Sequence, residues 1–241
     1  MAEQRASGRA PNALRNVALE RGAARQAEGS CLAVFGETRV LCAVSVEEGV
    51  PGWRKGSGQG WLTAEYAMLP RATRSRSPRE RAAIGGRTHE IQRLIGRSVR
   101  AMLDDFAFGE HTLKIDCDVL DADGGTRTAA ITGACVAVCD AFEWMVRRGK
   151  LAASPVKRRV AAISVGVVDG EARLDLDYEE DVRAAVDMNV VMSSENRFVE
   201  VQGTGEHGTF AREDLDRLLG LASRGIREID AAQQRALSAA E

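Results

Sequence analysis

The segment Gly124-Gly125-Thr126-Arg127 combines residue types that can cradle an anion. Glycines let an oxyanion reach the backbone, threonine adds a hydroxyl, and arginine adds a fork of charged donors. The segment lies between a strand-like run and a long apolar run. Its backbone N–H groups would therefore open a helix and turn a positive dipole end toward the ligand. An ordinary turn with threonine as helix cap fits the same four residues. No Gly-Lys-Ser or Gly-Lys-Thr follows, so a nucleoside-triphosphate P-loop is unsupported. A second pair, Gly85-Gly86, leads into another helix with Arg87 at its start. If both helix starts face one cavity, two guanidinium groups would hold a single phosphate.

Carboxylates gather further along, at Asp175, Asp177, Glu179, Glu180, Asp181 and Asp187. Much of this run reads as a solvated acidic turn. Asp187 stands apart because it directly precedes the apolar strand pattern MNVVM, where a carboxylate at a strand start can point into a cleft. Near a phosphate site it would either hold a divalent metal or supply a proton to a leaving oxygen. The proton role needs its pKa raised by burial or by neighbouring acids. His89, His111 and His207 lack metal-ligand spacing, and no Ser or Cys sits in a nucleophile elbow, so a hydrolase triad is unsupported.

Charge distribution points to the partner. The net charge is only −2, yet Arg71 to Arg100 holds nine arginines (71, 74, 76, 79, 81, 87, 93, 97 and 100) against Glu80 and Glu90. Such a segment suits a polyanion. Arg71, Arg74, Arg76, Arg79 and Arg81, with serines and a proline between them, are expected on an exposed, mobile loop over 71–81. Arg93, Arg97 and Arg100 fall on one face of the following helix.

These groups must be positioned by an α/β framework. Alternation predicts strands over 31–36 and 38–47, a Gly-rich loop over 49–61, and a strand over 111–120. Spacing of Ile91, Leu94, Ile95, Val99 and Met102 predicts a helix over 88–102, and 128–146 should be a buried helix. Strand pairs are expected over 159–168 with 172–178, around Asp169-Gly170, and over 187–193 with 197–203. An amphipathic helix over 211–236 closes the pattern. No linker or repeat interrupts residues 1–241, so one domain is expected. The five cysteines, odd in number and without CxxC spacing, read as reduced, buried hydrophobes. MAEQRASGRAPNALR contains no apolar run, and no uncharged stretch reaches ~18 residues, so a soluble cytoplasmic protein with no membrane partner is expected.

From GRAP (8–11) to VQGTGE (201–206) the chain resembles the ribonuclease PH family. The blocks that carry the resemblance are VLCAVSVEEGVP (40–51), GSGQGWLTAEYAMLPRAT (56–73), GRTHEIQRLIGRSVRA (86–101), IDCDVLDADGGTRTAAITGA (115–134) and DLDYEEDVRAAVDMNVVM (175–192). The resemblance implies the ribosomal protein S5 domain 2-like α/β (α+β) fold, shared with polynucleotide phosphorylase and the exosome ring. It also implies a homohexamer built as a trimer of dimers. It makes Arg87, Gly125, Thr126 and Arg127 phosphate-binding residues. Asp181 and Asp187 become the paired active-site aspartates, and the family's divalent cation is usually Mg²⁺. The implied reaction uses inorganic phosphate to remove 3′-terminal nucleotides of RNA, tRNA precursors among them, as nucleoside diphosphates. Arg71, Arg74, Arg76, Arg79, Arg93 and Arg97 are then candidate RNA contacts.

Three places depart from the family pattern: a stretch about two residues shorter between Arg79 and Gly86, Ala67 for a common glycine, and Gly205-Glu206-His207 in a loop. None touches the phosphate or carboxylate positions. Two other functions fit the sequence less well. A non-catalytic ring subunit would have lost the site residues, and a small-molecule phosphotransferase leaves the arginine segment unexplained.

Overall fold

The computed structural model describes residues 5–79 and 85–239. Two sheets form the frame. The first has the order β1 (Val17–Arg21), β2 (Gly29–Phe35), β3 (Thr38–Glu48), β5 (His111–Asp121), β4 (Trp61–Met68), and the second the order β7 (Glu171–Leu174), β6 (Val160–Val168), β8 (Val186–Ser193), β9 (Phe198–Gly205). β2 (Gly29–Phe35) and β3 (Thr38–Glu48) make the expected hairpin, and β5 (His111–Asp121) pairs antiparallel with β3. Two strands were not anticipated. β1 (Val17–Arg21) is a short edge, and β4 (Trp61–Met68) runs parallel to β5 immediately after the glycine-rich loop.

α1 (Gly86–Arg100) buries Ile91, Leu94, Ile95 and Val99 on one stripe and packs on β4. α2 (Thr126–Arg147) packs against β2 and β3 and reaches β6 (Val160–Val168). There Thr132 Oγ1 and Cys135 Sγ accept the backbone N–H groups of Ala162 and Val160. α2 is long and apolar enough to cross a bilayer, yet it is buried inside the protein between these strands. All five cysteines are free and buried, and burial pushes the Cys31 thiol up to about 12, which keeps it from forming a reactive thiolate. α4 (Arg212–Ser238) covers β6, β7 (Glu171–Leu174) and β8 (Val186–Ser193), while β9 (Phe198–Gly205) closes the far edge of the second sheet.

The structure corrects the region 172–178. The strand ends at Leu174 because Asp175 turns into the left-handed region (φ 56), and Tyr178–Arg183 forms a short helix, α3. Asp177 caps that helix in a reciprocal capping box with Glu180. Nor is the acidic run all solvated. Asp175 and Glu180 are buried against Arg5, Arg9, Arg15 and Arg173. This ion-pair network ties residues 5–15 to the second sheet.

Candidate active site

The glycine cradle takes its shape from backbone conformation. Gly124 and Gly125 both adopt positive φ (73 and 65), and a Cβ on Gly124 would come within 2.6 Å of the Leu176 carbonyl oxygen. Glycine alone lets this turn press against the chain entering α3. Thr38 Oγ1 donates to the Gly124 carbonyl at 2.7 Å, and the Arg15 guanidinium donates to the Asp123 carbonyl. These bonds aim the carbonyls away and leave the N–H groups of the α2 start forward.

Thr126 does not cap its helix. Its hydroxyl lies 2.8 Å from the Tyr66 hydroxyl, and Gly125, at the N-cap of α2, has no side chain to cap the helix. The first turn of α2 thus keeps backbone donors for a ligand. Arg127, in that turn, is steered by Gln202 at 3.3 Å and by Glu90 at 3.5 Å. Arg87 follows the first residue of α1 and is exposed.

Both helix starts line one cavity of about 500 Å³, together with Asp181, Asp187, Ser164 and Asn189. Asp181 comes from α3 and Asp187 from the second position of β8, so with Arg87 on α1 and Arg127 on α2 four elements deliver these charged groups. Asn189 was missed in the sequence, although it lies two residues beyond Asp187 on the same face of a strand. Ser164 faces it from β6, paired in register with Asn189, and accepts the Leu176 N–H at 3.0 Å.

Burial raises Asp187 to about 6, Asp181 adds like-charge repulsion, and Arg127 opposes both. Asp181 is also raised by burial, with Arg87 and Arg127 opposing. Asp187 Oδ1 is buried without a hydrogen-bond partner among the described residues. A carboxylate held this way accepts either a proton or a hard divalent cation. The pair therefore fits Mg²⁺ as well as a proton donor.

The arginines divide. Arg74 lines the cavity and pairs with Glu179 of α3 at 2.9 Å. Arg71, Arg76 and Arg79 are exposed on the same loop, and Arg81 and Glu80 lie outside the described residues. Arg93 is exposed on α1, whereas Arg97 is held by Glu200 through two bonds of 2.6 and 2.9 Å. Glu200 in turn accepts from Gln202, so Arg97 belongs to the network that steers Arg127.

Comparison with known proteins follows the same division of the chain. Residues 13–142 match domain 1 of the 3′ exoribonuclease family and residues 158–225 match its domain 2. The chain is 57% identical to ribonuclease PH of Saccharopolyspora erythraea over 98% of its length and 95% of that protein. It is 58% identical to ribonuclease PH of Nocardia farcinica, covering 98% of this chain and 93% of that one. The fold matches a chain of the Archaeoglobus fulgidus exosome solved with RNA bound to the active site, with TM-score 0.82, 20% identity, and coverage of 95% and 92%. With both segments and nearly the whole length accounted for, the chain belongs to the 3′ exoribonuclease family.

Proposed function

We propose that this chain is a phosphate-dependent 3′→5′ exoribonuclease that shortens tRNA precursors and other RNAs, releasing nucleoside diphosphates. The observation that carries the reading is the single cavity in which two helix starts and two arginines meet a carboxylate pair. Arg87, Gly125, Thr126 and Arg127 bind inorganic phosphate, and one of its oxygens attacks the phosphorus of the last phosphodiester. The bond to the 3′-oxygen of the penultimate nucleotide breaks. Asp187 delivers a proton to that oxygen, and the attacking phosphate leaves joined to the terminal nucleotide. Asp181 sustains the protonated form through its charge. In the alternative arrangement Asp181 and Asp187, both ionised, would hold Mg²⁺, which would supply positive charge to the departing oxygen in place of the proton. The arginines offset repulsion between phosphate and RNA, so positioning and electrostatics account for much of the rate.

The site takes Arg87 and residues 124–127 from one family segment and Asp181 and Asp187 from the other, which supports reading the chain as one functional unit. The exposed Phe198 and Val201 on edge strand β9 support assembly, which we assign as a homohexameric trimer of dimers. Five cysteines left free support a reducing, cytoplasmic location. The direct test incubates the protein with RNA and phosphate. Nucleoside diphosphates should appear only when phosphate is present, and monophosphates released without it would refute the reading. Light scattering on the same preparation should give a mass well above 26.0 kDa.

The 71–79 loop forms one wall of the cavity through Thr73, Arg74, Ser75 and Ser77, which supports its arginines as RNA contacts. Replacing Arg74, Arg76 and Arg79 together by Ala should flatten the log–log salt dependence of RNA binding by roughly two units, at about 0.7 per lost phosphate contact. Phosphate saturation on a very short oligonucleotide should stay nearly constant. An unchanged salt slope would mean that RNA enters elsewhere.

A further inference from the structure

Tyr178 is a large aromatic side chain left 48% exposed at the first position of α3, and it lines the phosphate cavity. Trp53 and Phe198, also exposed, lie away from it. Three observations hold the tyrosine in place beside the chemistry. Its backbone nitrogen would lie 2.9 Å from a Cβ on Gly124, so the phosphate cradle abuts it. Asp181 follows three residues later, on the same face of the helix. Its neighbour Glu179 is paired with Arg74, which anchors the arginine loop at this rim. Met68, 36% exposed at the end of β4, also lines the cavity.

Resting on the phosphorolytic reading above, we propose that Tyr178 is the stacking platform for the base of the RNA's 3′-terminal nucleotide. The phosphodiester to be broken must lie between the cradle and the two aspartates. The base beyond it then falls at the cavity rim, where the tyrosine ring is open. Stacking suits the task because every base offers a π-face, and a nuclease that removes successive nucleotides must accept each in turn. Met68 gives the same rim a polarizable apolar surface that adapts to purines and pyrimidines.

The test uses RNA oligonucleotides that end either in a normal nucleotide or in an abasic ribose, with equilibrium binding followed by anisotropy and turnover followed separately. Tyr178→Ala should raise the Kd and KM for normal RNA by about 5- to 100-fold while the KM for phosphate stays within about twofold. Tyr178→Phe keeps the ring and should match the parent within about twofold. The abasic end should weaken binding to the parent protein and to the Phe variant, and make no further difference to the Ala variant. If the parent binds both oligonucleotides equally, or if the Ala variant keeps the full abasic penalty, the stacking assignment is overturned, whatever the variants' stability. Absence of phosphorolysis by the parent protein would sink the reaction assignment instead, with the binding comparison still deciding the role of Tyr178.

Discussion

Replacing Asp187 by Asn should lower kcat by at least ~100-fold with RNA binding largely kept, and should at the same time make the protein more stable at pH 8. The two effects share one cause. Asp187 is raised to about 6, from an ordinary carboxylate value, mainly by burial and by the adjacent Asp181. As pH rises, the unfolded chain releases this proton first, so stability falls between the ordinary aspartate range and about pH 6 and stays lower above it. An amide carries no charge and escapes that loss, which amounts to about 1–3 kcal/mol at pH 8. Urea unfolding in EDTA should show the variant ahead at pH 8, with the advantage shrinking toward pH 4. Near-normal turnover would remove Asp187 from the chemistry, and equal stability at pH 8 would show that its carboxylate is not strained in the fold.

Asp175→Ala should be the most destabilising single change in the buried ion-pair network, at about 3–5 kcal/mol. The carboxylate is fully buried and accepts from Arg15 three times, from its backbone N–H at 2.7 Å, from Nε at 3.1 Å and from the guanidinium end at 2.7 Å. Truncation leaves the Arg15 guanidinium buried without its counter-charge, and places alanine at a positive φ of 56. Since Arg15 also donates to the Asp123 and Gly124 carbonyls, the variant should bind phosphate more weakly where it still folds. Asp175→Asn tolerates the backbone conformation and should recover part of the loss. A drop in unfolding free energy below ~1 kcal/mol for the Ala variant would show that the network is dispensable.

The sequence by itself was enough for elements whose signal is local. Helical spacing located α1 and α2 within two residues at each end, and the positive-φ pair Asp169-Gly170, the strand before it and the start of the strand after it followed from turn chemistry. It was also enough for Arg87, the 124–127 cradle and the aspartate pair as candidates, since the family's ordered blocks cover all of them. Where it misled, the deciding forces came from distant residues. Asp175 and Glu180 read as solvated because their partners Arg5 and Arg15 lie some 160 or more positions away. β4 was obscured by the glycines before it, and its pairing with β5 is parallel, so no hairpin turn announced it. Arg97 and Arg93 have the same charge on one helix face, yet among the described residues Arg97 meets a carboxylate and Arg93 does not, because β9 brings Glu200 across to Arg97. That the two glycine turns open onto one cavity is likewise a tertiary fact: local sequence can place an arginine at each helix start, but only the packing of α1 on β4 and α2, and of α2 on β6 of the second sheet, decides that they face the same pair of aspartates.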